Sequence, residues 1–342
     1  MSSPDAAARR PRRSIADLAL RLRLGGVVVF LVLLSAVFAA LSPQFLTWQN
    51  LAVVASNASI LAIVAAAQAV VLLTRNLDVS VGSIMGFAAY LSADYAAHHP
   101  TVGAELVLIA VCLGAALGLI NGLIVAYAKV SPLIATLGTM SLYRGFTYIY
   151  AHGQEVTSSK LPHWMLAAVD FRIFGLSTLV IVAIVVVAAL GAFLRLFPLG
   201  RRIYAVGSNP VASVFYGLRT ERVVLFAYVL AGALCGFAGL LYAARVGTVT
   251  VILATGWELT SLASAVLGGV SVAGGSGSVA GAGLGAVVLS CIDNGLVLLH
   301  IPEFWRMFVQ GAAIVLAVAV DVAIGAQIRR GLRRQRFGGR LA

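Results

Sequence analysis

Long apolar segments separated by short polar stretches limit what this chain can fold into more than any other feature. A helix of about twenty apolar residues crosses the hydrocarbon core of a bilayer. Hydrophobic residues make up 61% of the chain and charged residues 11%, whereas a soluble domain has about 25% charged residues. We therefore predict an all-α polytopic membrane protein with about ten transmembrane helices. The predicted spans cover residues 25–42, 51–74, 79–97, 103–128, 133–150, 175–194, 223–244, 258–273, 278–299 and 304–325.

The 24 Lys and Arg residues are distributed unevenly among the predicted loops. With the N-terminus in the cytoplasm, most of them fall on the cytoplasmic side, which is the positive-inside pattern of membrane proteins. Both termini are then cytoplasmic, and the loop at 151–172 is external. The predicted parts are a basic N-terminal tail at 1–24, a transmembrane domain at 25–325 with a cytoplasmic loop at 195–222, and a basic C-terminal tail at 326–342. The net charge of +12 favours contact with anionic lipid over a nucleic-acid partner.

The cytoplasmic loop turns polar, basic and glycine-punctuated between two apolar spans. One short helix is predicted there, from about Pro210 to Tyr216. Asn209 is a natural N-cap, Pro210 suits the first helical position, and Gly217 can close the end. A short cytoplasmic helix between two spans is what a soluble motor protein needs in order to grip a membrane subunit.

A second polar interruption lies at Thr74–Ser83 and includes Asp78. An aspartate within the hydrocarbon costs about 2.5–3.5 kcal/mol on insertion scales, so it is expected to be paired or functional. Asp78 or Ser80 can cap the helix that follows. Direct contact with a solute is the other reading, and the two are compatible because broken helices expose polar backbone where transporters bind their solutes.

Glycine spacing predicts where helices approach one another closely. Three small-residue rows stand out, and such rows allow close packing of transmembrane helices; they are Gly114/Gly118/Gly122, Gly232/Gly236 and Gly277/Gly281/Gly285. The glycine-rich run 268–278 lacks the Lys-Ser/Thr of a phosphate-binding loop, so we interpret it as a tight turn between two spans. Asn121 and Asn294 are expected to form hydrogen bonds between helices. The His and Cys residues show no metal-ligand spacing.

These segments together resemble the ribose/xylose-type permease family of ABC importers. The likeness runs in order from about residue 50 to 322. It is carried by Leu73-Thr74-Arg75-Asn76-Leu77-Asp78-Val79-Ser80-Val81-Gly82-Ser83, by Gly118-Leu119-Ile120-Asn121-Gly122 with the run from Ser131 to Gly145, by Tyr204-Ala205-Val206-Gly207-Ser208-Asn209-Pro210 with Gly217-Leu218, and by Leu267-Gly268-Gly269-Val270-Ser271 with Gly274-Gly275-Ser276-Gly277. Ser213 and Leu218 are mild departures from the family pattern.

The resemblance implies a type II-like permease subunit in the bacterial cytoplasmic membrane. It would work with a second permease subunit, an ATP-binding cassette subunit and a periplasmic or lipoprotein solute-binding protein. Because it lacks ATPase motifs, the chain itself would be no enzyme. No cofactor or metal is expected in it. The residues expected to couple it to the ATP-binding subunit are Gly207, Ser208, Asn209, Pro210, Ala212, Ser213 and Gly217. The candidates for the solute pathway are Asp78, Ser80, Ser83, Asn121, Thr136, Thr139, Ser141, Tyr143 and Arg144.

The expected solute is a small neutral sugar or sugar-like molecule, and the branch that looks nearest serves rhamnose and autoinducer-2. An importer of another small solute, such as branched-chain amino acids, is an alternative. A proton-coupled secondary transporter would need ionisable residues within its spans, for which Asp78, Arg144, Glu258 and Asp293 are the candidates. An intramembrane serine protease would need Ser276 to meet His300, which the topology places at the opposite face.

Overall fold

A computed structural model describes residues 15–173 and 175–312, together with 315 and 319. The predicted C-terminal tail, half of the last predicted span and residues 1–14 lie outside the described residues. The helices are α1 (Ile15–Leu41), α2 (Trp48–Leu73), α3 (Val81–His98), α4 (Glu105–Ala126), α5 (Pro132–Ala151), α6 (His163–Asp170), α7 (Thr178–Leu196), α8 (Pro198–Ser208), α9 (Pro210–Phe215), α10 (Thr220–Val246), α11 (Trp257–Leu267) and α12 (Val279–Leu298). Residues 303–312 are also helical.

The helices confirm an all-α membrane protein. Five of those described are long and apolar enough to cross a bilayer, namely α2, α4, α7, α10 and α12. The apolar part of α1 is shorter, at Gly25–Leu41. The two short strands, β1 (Arg172–Ile173) and β2 (Leu176–Ser177), form an antiparallel hairpin in the predicted external region. This hairpin, α6 and a 3-10 turn at Ser158–Lys160 make that region more ordered than a plain connector.

Helix α2 forms the centre of the bundle. Its residues from Ala58 to Leu73 are buried almost without exception, and it packs against α7, α10, α11 and α12. A helix that is apolar on every side is stable only when other helices surround it. The Ala- and Val-rich sequence of α2 meets that condition, because small side chains let several neighbours approach at once.

Facing glycines join α4 to α10, as the spacing predicts. A Cβ added to Gly114 would lie 2.8 Å from the Cα of Gly236, and one added to Gly118 would lie 3.1 Å from the Cα of Gly232. The two backbones therefore touch directly, in the manner of small-residue rows in membranes. Gly281 faces Gly268 in the same way, which joins α12 to the end of α11.

Two predictions about the second half need correction. The span predicted over 258–273 is not one helix, because α11 has only 11 residues and ends at Leu267; at 1.5 Å per residue it extends about 16 Å. The turn at 268–278 follows, as predicted, and α12 begins only at Val279. Gly277 lies in that turn at φ +135°, so it does not belong to the helical row of Gly281 and Gly285.

The predicted interhelical amide bonds are present. Asn294 in α12 and Asn50 in α2 exchange two hydrogen bonds, each 2.9 Å between Nδ2 and Oδ1. Asn121 in α4 bonds to side chains of two other segments. Reciprocal amide pairs fix the register of neighbouring helices, because each partner satisfies a donor and an acceptor that lipid leaves unpaired.

Candidate functional site

A buried hydrogen-bond network surrounds the point where α3 begins. Asp78 Oδ1 accepts from the amide of Ser80 at 2.8 Å and from its hydroxyl at 2.6 Å. Asn121 Nδ2 donates to Ser80 Oγ at 2.7 Å, and the Tyr143 hydroxyl donates to Asn121 Oδ1 at 3.1 Å. We call Asp78, Ser80, Asn121 and Tyr143 the α3 network. It brings together four of the predicted pathway residues, two from the segment between α2 and α3, one from α4 and one from α5.

The capping role predicted for Asp78 or Ser80 takes a different form in the structure. Ser80 precedes α3 but makes no side-chain cap bond. Asp78 accepts hydrogen bonds from Ser80, the residue before α3, instead of from an amide in the first turn of α3. Its second oxygen, Oδ2, is buried and has no hydrogen-bond partner among the described residues. Asp78 therefore orients Ser80, and Ser80 in turn links the helix start to Asn121.

The backbone of the broken segment is satisfied by side chains from other helices. Thr136 Oγ1 accepts from the amide of Val79 at 3.1 Å. The Tyr228 hydroxyl of α10 donates to the carbonyl of Leu77 at 2.9 Å. Because hydrocarbon offers no hydrogen bonds to exposed backbone, the break between α2 and α3 depends on α5 and α10 to exist at all.

The other predicted pathway residues do not converge on one cavity. Ser83, Thr139 and Thr136 are buried between helices, and their hydroxyls donate to nearby carbonyls. Ser141 lies on the opposite, exposed face of α5. Arg144 Nη1 donates to the carbonyls of Val251 at 3.2 Å and Leu253 at 2.8 Å. The structure thus places most of this set in interhelical contacts, with Ser141 facing outward.

The short helix predicted in the loop at 195–222 forms as α9. In α9, Asn209 Oδ1 accepts from the amide of Ala212 at 3.0 Å, and Pro210 occupies the first turn. Gly217 follows at φ +76°, a conformation that glycine adopts without strain. The Ser213 hydroxyl donates to the carbonyl of Ala205 at 3.0 Å, which ties α9 to α8. Ser213 is therefore buried.

The loop holds a second helix that the sequence prediction missed. Helix α8 has a Pro in its first turn, and its buried side chains Ile203 and Val206 are three residues apart. That start signal and spacing could have identified it. The Tyr204 hydroxyl donates to the carbonyl of Gly277 at 3.1 Å; burial raises the pKa of Tyr204 above its ordinary value, so the phenol stays protonated as a donor.

Gly207 lies in this helix at a very close contact. A Cβ there would lie 2.7 Å from the amide nitrogen of Gly275 and 2.9 Å from the carbonyl carbon of Leu73. The Ser208 hydroxyl donates to the carbonyl of Gly275 at 3.3 Å, and the amide of Gly275 donates to the carbonyl of Leu73 at 3.1 Å. Helix α8 is thus seated on the end of α2 and on the 268–278 turn.

The surface that α9 presents is apolar. Phe215 and Tyr216 are each 87% exposed, and Val211 and Val214 beside them are exposed as well. We call these four residues the α9 knob. Among the predicted coupling residues, Gly207 and Ser213 are buried and position the knob rather than form it. Large apolar residues within an otherwise polar loop were the signal that could have identified it.

Comparisons with known proteins agree on a membrane permease. Residues 50–318 match the family model described as "Branched-chain amino acid transport system / permease component". The chain is 36% identical over 311 residues to the Autoinducer 2 import system permease protein LsrC of Escherichia coli O9:H4 (strain HS), covering 90% of this chain and 89% of that protein. It is 37% identical over 300 residues to the LsrC of Salmonella paratyphi B, covering 87% and 85%. No solved structure matches the chain significantly.

Proposed function

Because the chain belongs to the family of branched-chain amino acid transport system permease components, we propose that it is one of two membrane subunits of an ATP-driven importer. ATP is hydrolysed by a separate cassette subunit, and a solute-binding protein delivers the solute at the outer face of the cytoplasmic membrane. The single observation that carries the proposal is the α9 knob, an exposed apolar surface on a helix that is firmly seated below the bundle.

The α9 knob fits a docking role because its apolar side chains are exposed while the helix that carries them is held in place by hydrogen bonds. Phe215 and Tyr216 are exposed to an extent that is costly unless a partner covers them, and rigid aromatic anchors dominate protein interfaces. Beneath them, the Asn209 cap and the Ser213 bond hold α9 in place. A cassette subunit that closes on ATP would therefore move α8 and α9 as one unit.

Movement of α8 has a direct route to the α3 network. Gly207 contacts the end of α2, and Gly275 contacts Ser208. A Cβ on Gly274 would lie 2.9 Å from the Cα of Arg75, so the same turn touches the start of the break. Three residues further on, Asp78 holds Ser80 and thereby α4 and α5. Displacement of α8 would thus shift the break that orients α3, and such a shift of one helix against another is a movement that switching transitions use.

The solute pathway is proposed to lie between two permease subunits, along the exposed face of α5. Ser141 stands there between Gly138 and Gly145, whose surroundings are open. Large apolar side chains, among them Ile134, Leu142 and Phe146, are exposed beside these small residues, and the exposed face carries no fixed charge. It suits a neutral hydroxylated solute better than an ionic one, because a charged solute entering the membrane needs a compensating charge. The similar proteins from Escherichia coli and Salmonella are named for autoinducer 2 import, which supports a sugar-like solute.

Uptake by the reconstituted importer tests the proposal. Proteoliposomes that contain this permease, its cassette subunit and its binding protein are given labelled rhamnose, ribose, autoinducer-2 or leucine. We expect import of a hydroxylated solute that requires ATP and all subunits. The family description makes leucine the alternative solute, and import of leucine alone would replace the sugar proposal. Import by the permease alone, driven by a proton gradient, would refute the ATP-driven role.

A further inference from the structure

A second polar region lies at the other end of the bundle from the α9 knob. It is a cavity of about 600 Å³ between α2, α10, α11, α12 and residues 303–312, within the size range of small-molecule sites, about 300–1,000 Å³. We call it the outer pocket, and its principal lining residues are Asn57, Tyr242, Arg245, Trp257, Thr260 and Asp293. The topology predicted from the charges places it at the external face.

One wall of the outer pocket is aromatic. The rings of Tyr242 and Trp257 lie with their centroids 4.8 Å apart at an interplanar angle of 43°. Such a tilted pair presents a broad, rigid apolar surface with little conformational entropy to lose on binding. The C–H face of a sugar ring is apolar and flat enough to lie against it, whereas the ring hydroxyls point to its edge.

The opposite side of the pocket supplies hydrogen-bonding groups whose charges balance. Arg245 Nη2 donates to Asn57 Oδ1 at 2.7 Å. Arg306 Nη1 donates to Asp293 Oδ1 at 3.1 Å, and Arg306 also pairs with Glu303. The described lining holds two arginines, Arg245 and Arg306, and two carboxylates, so its formal charges sum to zero. Arg306 Nε is buried and has no hydrogen-bond partner among the described residues.

Hydroxyl groups complete the site. Thr260 Oγ1 donates to the carbonyl of Gly256 at 3.1 Å, so its lone pairs can accept a hydrogen bond from a ligand. Aromatic stacking on one side and amide, guanidinium, carboxylate and hydroxyl groups on the other match a molecule that has one apolar face and several hydroxyls. A zwitterionic amino acid would lose more hydration than a neutral polyol on entering this pocket, and the carboxylates Asp293 and Glu303 are already paired with Arg306.

We propose that the outer pocket binds a neutral, polyhydroxylated solute within a single permease subunit, before that solute enters the pathway. The inference rests on the proposed function, because it assigns the solute class recognised by the permease itself. It adds a binding step that is separate from the solute-binding protein and from the exposed face of α5.

Tryptophan fluorescence tests binding directly. The full-length permease is placed in nanodiscs of phosphatidylethanolamine and phosphatidylglycerol, with Trp48, Trp164 and Trp305 changed to Phe so that Trp257 is the only reporter. Rhamnose, ribose and autoinducer-2 are titrated, and leucine serves as the ionic comparison. We expect a saturable change with at least one hydroxylated probe and none with leucine. A matched protein that keeps only Trp164, which lies outside the pocket, should show no saturable change.

Transport by the complete importer supplies the second test. Thr260→Val removes the pocket hydroxyl at constant shape and should raise the KM for the imported solute about tenfold, the effect of one hydrogen bond, with kcat retained. Thr147→Val is the matched control, because its hydroxyl also donates to the carbonyl four residues earlier but lies outside the pocket. An unchanged KM together with a silent Trp257 overturns the outer pocket and leaves the importer standing. A responsive Trp257 without ATP-driven import refutes the importer and keeps the site.

Discussion

Replacement of Gly207 by Ala should uncouple transport from ATP hydrolysis. The added methyl group would overlap the carbonyl of Leu73 and lie 2.7 Å from the amide nitrogen of Gly275. Both neighbours are backbone, so no side-chain rotation relieves the overlap, and α8 must move away from α2 and the 268–278 turn. Overpacking of this kind costs about 1–3 kcal/mol.

That cost sets the size of the expected effect. A change of about 1–3 kcal/mol corresponds to a factor of about 5–150 in the equilibrium between seated and displaced α8. In proteoliposomes with the cassette subunit and the binding protein, solute import per ATP hydrolysed should fall by a factor in that range. Basal ATP hydrolysis and the amount of permease in the membrane should stay close to normal. A normal import-to-ATP ratio for both Gly207→Ala and Gly207→Val would refute the seating of α8 as the coupling contact.

Gly217 provides the control, because its requirement is conformational and not steric. It has φ +76° with no heavy atom near an added Cβ, so Gly217→Ala should cost about 1–2 kcal/mol through the left-handed backbone alone. Asn enters that region more readily than Ala. Gly217→Asn should therefore recover coupling, whereas Gly207→Asn should remain as defective as Gly207→Ala. Equal rescue by Asn at both positions would mean that steric contact at Gly207 is unimportant.

Three further predictions concern topology, Asp78 and the α9 knob. In a background without native Cys, Ser159→Cys should be labelled by an impermeant maleimide in intact cells and Tyr216→Cys only after permeabilisation; the reverse pattern would invert the charge-based topology. Asp78→Asn should import at a near-normal rate, because it keeps the acceptor that holds Ser80, and a well-expressed but inactive Asp78→Asn protein would show that the charge is required. Phe215→Ala should reduce co-purification of the cassette subunit about tenfold or more, as loss of an aromatic anchor does, and unchanged co-purification would remove the knob from that interface.

Local rules predicted the short elements well. The Asn209 cap, the Pro210 start and the Gly217 end of α9 all depend on residues within nine consecutive positions, so sequence alone contains the necessary information. The facing glycines of α4 and α10 were similarly visible as spacing. The ends of α9 are set by residues in or next to that helix. The close packing of α4 on α10 requires only that glycines lack side chains.

Elements governed by distant contacts were harder to predict. Helix α11 looks like a full span because its apolar residues continue to Ala273, and only the backbone geometry of the 268–278 turn ends it at Leu267. The burial of Thr136 and Tyr143 depends on which face of α5 meets α3 and α4. A polar residue within a span can line a pathway or bond to a neighbouring helix, and periodicity alone does not separate these outcomes.

The described helices contain two sets in the same order, with one span, α7, between them. Helix α2 is followed by a break that bears Asp78, by α3, by α4 with Asn121-Gly122, and by α5, which begins at a proline. Helix α10 is followed by a break before Glu258, by α11, by α12 with Asn294-Gly295, and by the helical residues after Pro302. In the topology predicted from the charges, the single intervening span reverses the direction of the second set, which is the arrangement of inverted repeats in transporters.

The inverted order places the two breaks at opposite faces. The first, held by Asp78 and Ser80, adjoins α8 and the 268–278 turn. The second, which precedes α11, adjoins the outer pocket through Trp257. Each acidic side chain at these breaks, Asp78 and Glu258, has one buried oxygen without a hydrogen-bond partner among the described residues. Helix α2 packs against α10 and α11, the two helices that flank the second break. A shift that α8 imposes at the first break must therefore be accommodated by these helices. In the predicted topology, we therefore expect a push on α8 to change the shape of the outer pocket through the packing of α2 against α10 and α11.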